Sequence, residues 1–257
     1  MSKLAERIRR ALRVDSLPIG FGAAARTSNP SLLLAAFLPS LSPEAAKQAA
    51  AEGADTCLLA ASDPKDKDVK QVVDALGEVP CGLRVPRVDG EAAAHLRELG
   101  VDYVVLEPET ALAAALLESN LGHVLSLESD LPDMHLRTLE ALPLDAILLP
   151  RWEGPLTVRR QMELQRISGL ARKPLILPVS PQATAADLQM LREAAVVGVG
   201  VETRSKDAFD TLASLRKLID GLPPRRRRRE EHVEAILPSV PEPVATTADE
   251  EEEDEDE

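Results

Sequence analysis

Eight short apolar runs recur along this chain at near-regular spacing, and that spacing limits the fold more than any other feature. They occupy residues 32–37, 57–61, 81–85, 103–106, 124–127, 146–149, 175–179 and 196–201. Their starts lie 21 to 29 residues apart, the length of one strand, one helix and two short loops. Helical patterns fill the gaps. They open at capping residues such as Ser42-Pro43-Glu44 and Thr184-Ala185-Ala186-Asp187, and several end at glycine.

A second periodicity runs at twice that length. Glu52-Gly53-Ala54-Asp55 precedes the second run, Leu99-Gly100-Val101-Asp102 the fourth, and Leu144-Asp145 the sixth in weaker form. Each glycine suits a helix C′ position that needs positive φ. A repeating pair of βα units favours a closed ring over an open sheet, because every pair then meets the same neighbours. The expectation is α/β: a (β/α)8 barrel of TIM type, with eight βα units over residues 31–222. An open doubly wound sheet for a dinucleotide would need a glycine-rich first turn, and no GxGxxG occurs.

Residues 1–30 are expected to pack on the barrel. Leu4, Ile8 and Leu12 form an apolar stripe among Arg7, Arg9, Arg10 and Arg13, a helix that plugs the barrel bottom or packs beside it. Leu17 to Gly22 reads as an extra extended segment. Residues 223–257 read as a disordered charged tail: Pro223-Pro224, an arginine run from Arg225 to Arg229, a proline-spotted linker and a closing acidic run. Two roles are open for it, docking a basic protein or keeping the barrel soluble.

Charge and composition exclude several classes. The chain has 43 acidic and 30 basic residues, but its last nine residues are all Asp or Glu, so the body is nearly balanced. A balanced body with one Trp, one Tyr and three Phe offers neither a phosphate-steering field nor a base-stacking platform, which excludes nucleic acid as a partner. No apolar stretch approaches the roughly 20 residues of a membrane span. Cys57 and Cys81 lie in apolar runs without metal-ligand spacing and read as core thiols, which suits a cytoplasmic protein.

The active face of such a barrel lies at the strand C-termini. Period-2 alternation sets Gly82 and Arg84 inward on the third strand, then Tyr103, Val105 and Glu107 on the fourth. Val124, Ser126 and Glu128 follow on the fifth, and Gly198, Gly200 and Glu202 on the eighth. The charged residue comes last each time, near the top. Glu107, Glu128 and Glu202 are therefore the candidate catalytic acids. Arg84, Arg151, Ser126, Ser180 and Arg204 are the candidate substrate-binding residues, because a guanidinium matches a carboxylate or phosphate in bidentate geometry. Glu107 and Glu128 together suit Mg²⁺ or Mn²⁺, or an acid/base pair with split pKa values. The plain alternative is an ion-pair network from Arg84 to Glu107 or Glu128 that only fills the mouth.

Other polar residues carry less. Asp63, Asp89, Asp130 and Asp133 stand before expected helices, where Asp is a favoured N-cap. Thr203-Arg204-Ser205-Lys206 opens the last helix, where barrels often hold phosphate, but Ser180-Pro181-Gln182 after the seventh strand lacks glycine. No histidine falls at a strand C-terminus: His95 and His135 lie in helical patterns, His123 precedes its strand and His232 is in the tail. No lysine lies within a strand, and no GxSxG elbow or P-loop occurs. Flavin is a minor option.

Leu83-Arg84-Val85 followed by Ser126-Leu127-Glu128-Ser129 resembles the HpcH and citrate-lyase β group of barrel aldolases. That resemblance implies Arg84 on a keto-acid carboxylate and Glu128 on Mg²⁺. It covers a handful of residues, and Pro150-Arg151 takes the place of the second metal ligand expected on the next strand. Two function classes follow. One is a barrel enzyme acting on a small carboxylated or phosphorylated metabolite by lyase or isomerase chemistry; the other is a non-catalytic barrel scaffold whose charged tail binds partners. Substrate and oligomeric state are not encoded in any motif.

Overall fold

A computed structural model describes residues 2–12, 31–127, 131–204 and 207–223. These residues belong to one compact unit, Met1–Arg225. Eight parallel strands close into a barrel in sequence order: β1 (Leu33–Leu38), β2 (Thr56–Ala60), β3 (Cys81–Arg84), β4 (Tyr103–Leu106), β5 (Gly122–Ser126), β6 (Ala146–Leu148), β7 (Leu175–Pro178) and β8 (Val196–Glu202). Helix α1 (Lys3–Leu12) precedes the ring. Around it run α2 (Pro43–Ala51), α3 (Asp66–Leu76), α4 (Gly90–Glu98), α5 (Asp133–Thr138), α6 (Val158–Ala171), α7 (Ala185–Glu193) and α8 (Asp207–Asp220). This is the TIM-type barrel that the eight apolar runs predict.

Both faces of the strands are buried, as a parallel sheet requires. The outward set, including Leu34, Leu59, Leu83, Val104, Ile147 and Leu177, packs under the helices. A separate inner cluster holds Leu33, Leu58, Tyr103, Val105, Val124 and Leu148. Two aromatic rings fill the interior because glycine faces each of them. A Cβ on Gly82 would overlap the Tyr103 ring, and one on Gly200 the Phe37 ring. Tyr103 Oη accepts from Thr56 Oγ1 at 3.0 Å and donates to the Cys57 carbonyl at 3.3 Å. Burial pushes its phenol pKa up. A register shift between Leu175 and Ile176 lets Val197 join the inner cluster.

Helix α1 plugs the barrel bottom: Leu4, Ile8 and Ala11 are buried against the inner cluster. The repeated aspartates hold that end together. Asp102 accepts the Lys3 and Leu4 amides at 2.6 and 2.8 Å, at the positive end of the α1 dipole. Asp55 accepts the Leu34 amide and Arg216 Nη1, both at 2.8 Å, while Arg7 donates to the Asp55 carbonyl. Asp145 accepts the His123 amide at 3.1 Å. Each repeat thus satisfies backbone amides where a strand or α1 begins. Gly53 and Gly100 take φ of 88° and 93°, as a helix C′ position demands.

Several local expectations are corrected. The link from β4 to β5 carries only a 3₁₀ turn, Ala113–Leu117, and α5 has six residues, so the outer layer is thinner there than eight full βα units imply. Asp89 caps α4, accepting from the Ala92 amide at 2.9 Å. Asp63 caps nothing, because α3 begins after Lys65. Asp133 is the first residue of α5 and pairs with Arg166 at 2.6 Å. His123 lies within β5, buried, with Nε2 3.0 Å from the Ala115 carbonyl. Asp130, the extended segment at 17–22 and the tail from Pro224 onward lie outside the described residues. Among the described residues, no helix is long and apolar enough to cross a membrane.

Candidate functional site

Arg84 ends β3, Glu107 directly follows β4 and Ser126 ends β5, so register alone brings three polar side chains together on adjacent strands. Arg84 Nε donates to Glu107 Oε1 at 2.7 Å, and Arg84 Nη2 lies 2.6 Å from the same oxygen. Nη2 also reaches Ser126 Oγ at 3.4 Å. The guanidinium therefore grips one carboxylate oxygen. Glu107 Oε2 and Arg84 Nη1 have no partner among the described residues.

The opposite rim holds a second charged group. Glu202 ends β8, and its Oε2 lies 3.1 Å from Arg204 Nε and 3.6 Å from Arg151 Nη1. Arg151, from the loop after β6, also faces Glu153 Oε1 at 3.6 Å. Beneath the two groups the walls turn apolar, with Phe37, Leu58, Leu148 and Pro178. The whole encloses a cavity of about 1020 Å³. Arg84, Arg151 and Arg204 are matched along its border by Glu107, Glu109 and Glu202.

Ser180 does not border this cavity. It pairs with Gln182 in its own loop. The α7 N-terminus is closed by its own capping box, in which Thr184 and Asp187 satisfy each other's amides. The Thr203 amide and hydroxyl both donate to the Phe37 carbonyl, at 2.9 and 3.1 Å. The Thr184 and Thr203 amides are thus engaged internally. Glu128, Ser205 and Lys206 lie outside the described residues. Among the described residues, no three His, Cys, Asp or Glu side chains gather to hold a metal. The Mg²⁺ or Mn²⁺ expectation therefore rests on Glu128.

Sequence reasoning missed His135, which borders the cavity from α5 together with Thr138 and, one residue past the helix, Leu139. The signal was present: three and four residues apart, these side chains share one helix face.

Fold and site define a (β/α)8 barrel of TIM type with a charged rim over an apolar cavity. It is similar to thiamine phosphate pyrophosphorylase from Pyrococcus furiosus, at 15% identity over 74% of this chain and 96% of that one, with a TM-score of 0.54. A mutant tryptophan synthase α-subunit from P. furiosus aligns at 14% identity over 75% and 99% of the two chains, with a TM-score of 0.58. Tryptophan synthase from Mycobacterium tuberculosis aligns at 14% identity over 73% and 91%, with a TM-score of 0.57. At such identities the likeness is one of fold. No protein-family model matches the chain. No curated protein matches it either.

Proposed function

We propose that the C-terminal mouth of the barrel binds a small anionic metabolite, carboxylated or phosphorylated, and acts on it by carboxylate acid/base chemistry of the lyase or isomerase type. The observation that carries this reading is Arg84, held between Glu107 and Ser126 over an apolar cavity, with Nη1 unpaired among the described residues. The substrate anion takes the Nη1 edge of the guanidinium, since hydrogen bonds between a charged donor and a charged acceptor are the strong ones. Glu107 Oε2 then accepts a proton from the bound substrate or returns one. Arg151 and Arg204 orient Glu202 as the second carboxylate. Glu107 with Glu128 is the pair for Mg²⁺ or Mn²⁺, which would polarise a substrate carbonyl. The structural relatives are named as a pyrophosphorylase and a synthase, which supports an enzyme at the level of fold analogy.

A second reading, the non-catalytic scaffold with a partner-binding tail, is favoured by the pairing of the rim charges with one another. Deuterium uptake from D₂O into a panel of 2-oxo acids, followed by proton NMR, separates the two. Exchange catalysed by the parent and lost in Glu107→Gln supports the enzyme. Equal exchange in parent, variant and buffer supports the scaffold.

A further inference from the structure

The cavity is not confined to the barrel axis. Ser126 and Leu148 border it from the inner faces of β5 and β6, yet Leu125, Leu127 and Leu149 border it too. Strand alternation points those three leucines outward, toward the helix layer. The space therefore continues over the barrel wall into a side chamber beneath α5. The reason lies in the local elements: β6 has three residues, and the cover is a six-residue α5 continued only by a 3₁₀ turn at Leu139–Ala141. Residual exposure marks the same place. Leu125 and Leu127 keep 8% and 6% exposure and Leu139, just after α5, keeps 7%, whereas Leu136 within α5 keeps 1% and Leu149 2%.

The chamber is apolar. Leu125, Leu127, Leu131, Leu139 and Leu149 wall it, with His135 and Thr138 at its edge. The Thr138 hydroxyl is engaged by its own helix, donating to the His135 carbonyl at 2.7 Å. The formally charged residues on the border, Arg84, Glu107, Glu109, Arg151, Glu202 and Arg204, lie at or after strand C-termini. A cavity of about 1020 Å³ is at the upper end of the roughly 300–1,000 Å³ that hold drug-sized ligands, and far exceeds the need of a three-carbon acid.

Resting on the anion-binding reading of the mouth, we infer that its ligand is an amphipathic monocarboxylate. The carboxylate lies on Arg84, and an apolar chain or ring enters the chamber between β5, β6 and α5. A carboxylate fits better than a phosphate. Glu107 sits beside the guanidinium and repels a dianion more than a monoanion.

The test is titration of the full chain with butanoate, hexanoate and octanoate, with hexanamide and hexyl phosphate alongside. Calorimetry reads it, together with the fluorescence of Trp152, the sole tryptophan and the neighbour of Arg151. Affinity is expected to rise by about fourfold per buried methylene. Hexanamide and hexyl phosphate should bind at least about tenfold more weakly than hexanoate, and Arg84→Gln should weaken every carboxylate. Thr138→Phe, at an exposed position where folding is readily checked by circular dichroism, fills the chamber and flattens the dependence on length.

Affinity that depends on Arg84 but not on chain length overturns the chamber and leaves the anion-binding mouth standing. A length dependence untouched by Thr138→Phe places the apolar body elsewhere and also overturns it. Tighter binding of hexyl phosphate overturns the choice of carboxylate. Binding of no anion at any length removes the mouth reading and the chamber inference together.

Discussion

Arg84 grips a single oxygen of Glu107, with Nε at 2.7 Å and Nη2 at 2.6 Å, and this leaves the second carboxylate oxygen unengaged at the barrel mouth. The side chains are 47% and 29% exposed, so solvent screens the pair. An ion pair of this kind contributes about 0–1 kcal/mol to stability. Arg84→Gln and Glu107→Gln should each shift the urea unfolding free energy by less than about 1 kcal/mol. A much larger loss would make the pair a fold element rather than a site.

Close approach of glycine to aromatic rings supports the barrel interior. Gly82→Ala drives a Cβ into the Tyr103 ring and should cost about 1–3 kcal/mol. Gly169→Ala, in α6 with nothing within 4 Å, should instead stabilise by about 0.5–1 kcal/mol. Opposite signs for the two substitutions in chemical denaturation check the packing. A neutral Gly82→Ala would contradict it.

The bottom plug should respond to pH through Asp102. Burial raises this carboxyl above its ordinary value of 3.8, against the pull of the Leu4 and Lys3 amides. The folded state then holds a proton that the unfolded state has released, so this contribution falls as pH rises through the window above 3.8. Asp102→Asn removes that slope. Near pH 7 it should also cost about 1–3 kcal/mol, because one of the two amides loses its acceptor. Unfolding midpoints of parent and variant, compared from about pH 4 to 7, test both effects.

Cys57 and Cys81 face each other in register on β2 and β3. Burial is the main cause that pushes both thiols up to about 12. The thiolate is the reactive species, so an aromatic disulfide reagent near pH 8 should modify neither until the chain unfolds. Rapid labelling of the native protein would show that the helix layer opens over β2 and β3.

The ring itself was legible because parallel strands buried on both faces read as unbroken apolar runs, and eight of them arrived at strand-helix spacing. Inward and outward faces followed from alternation, and Arg84, Glu107, Ser126 and Glu202 border the cavity. The paired period of Asp55, Asp102 and Asp145 was also visible, but its role was not, since it depends on amides brought in from α1 and neighbouring strands. Features set by element length were lost. Neither the 3₁₀ turn at Ala113–Leu117 nor the shortness of α5 shows in hydrophobic periodicity, yet together with short β6 they shape the chamber and bring His135 to its edge. Ser180 looked like a site residue by position alone; it pairs with Gln182 and does not border the cavity.

The central claim is that Arg84 is the anion-binding group of the barrel mouth. Its most direct test follows the Arg84 Nε–H resonance of isotopically labelled protein, assigned by its loss in Arg84→Gln, during titration with carboxylated and phosphorylated metabolites. The account predicts a saturable shift of this signal with at least one carboxylate, at concentrations that leave the signals of Arg159 and Arg172, both exposed and away from the cavity, in place. An Arg84 signal that never moves, or that moves only in step with those two, would contradict it.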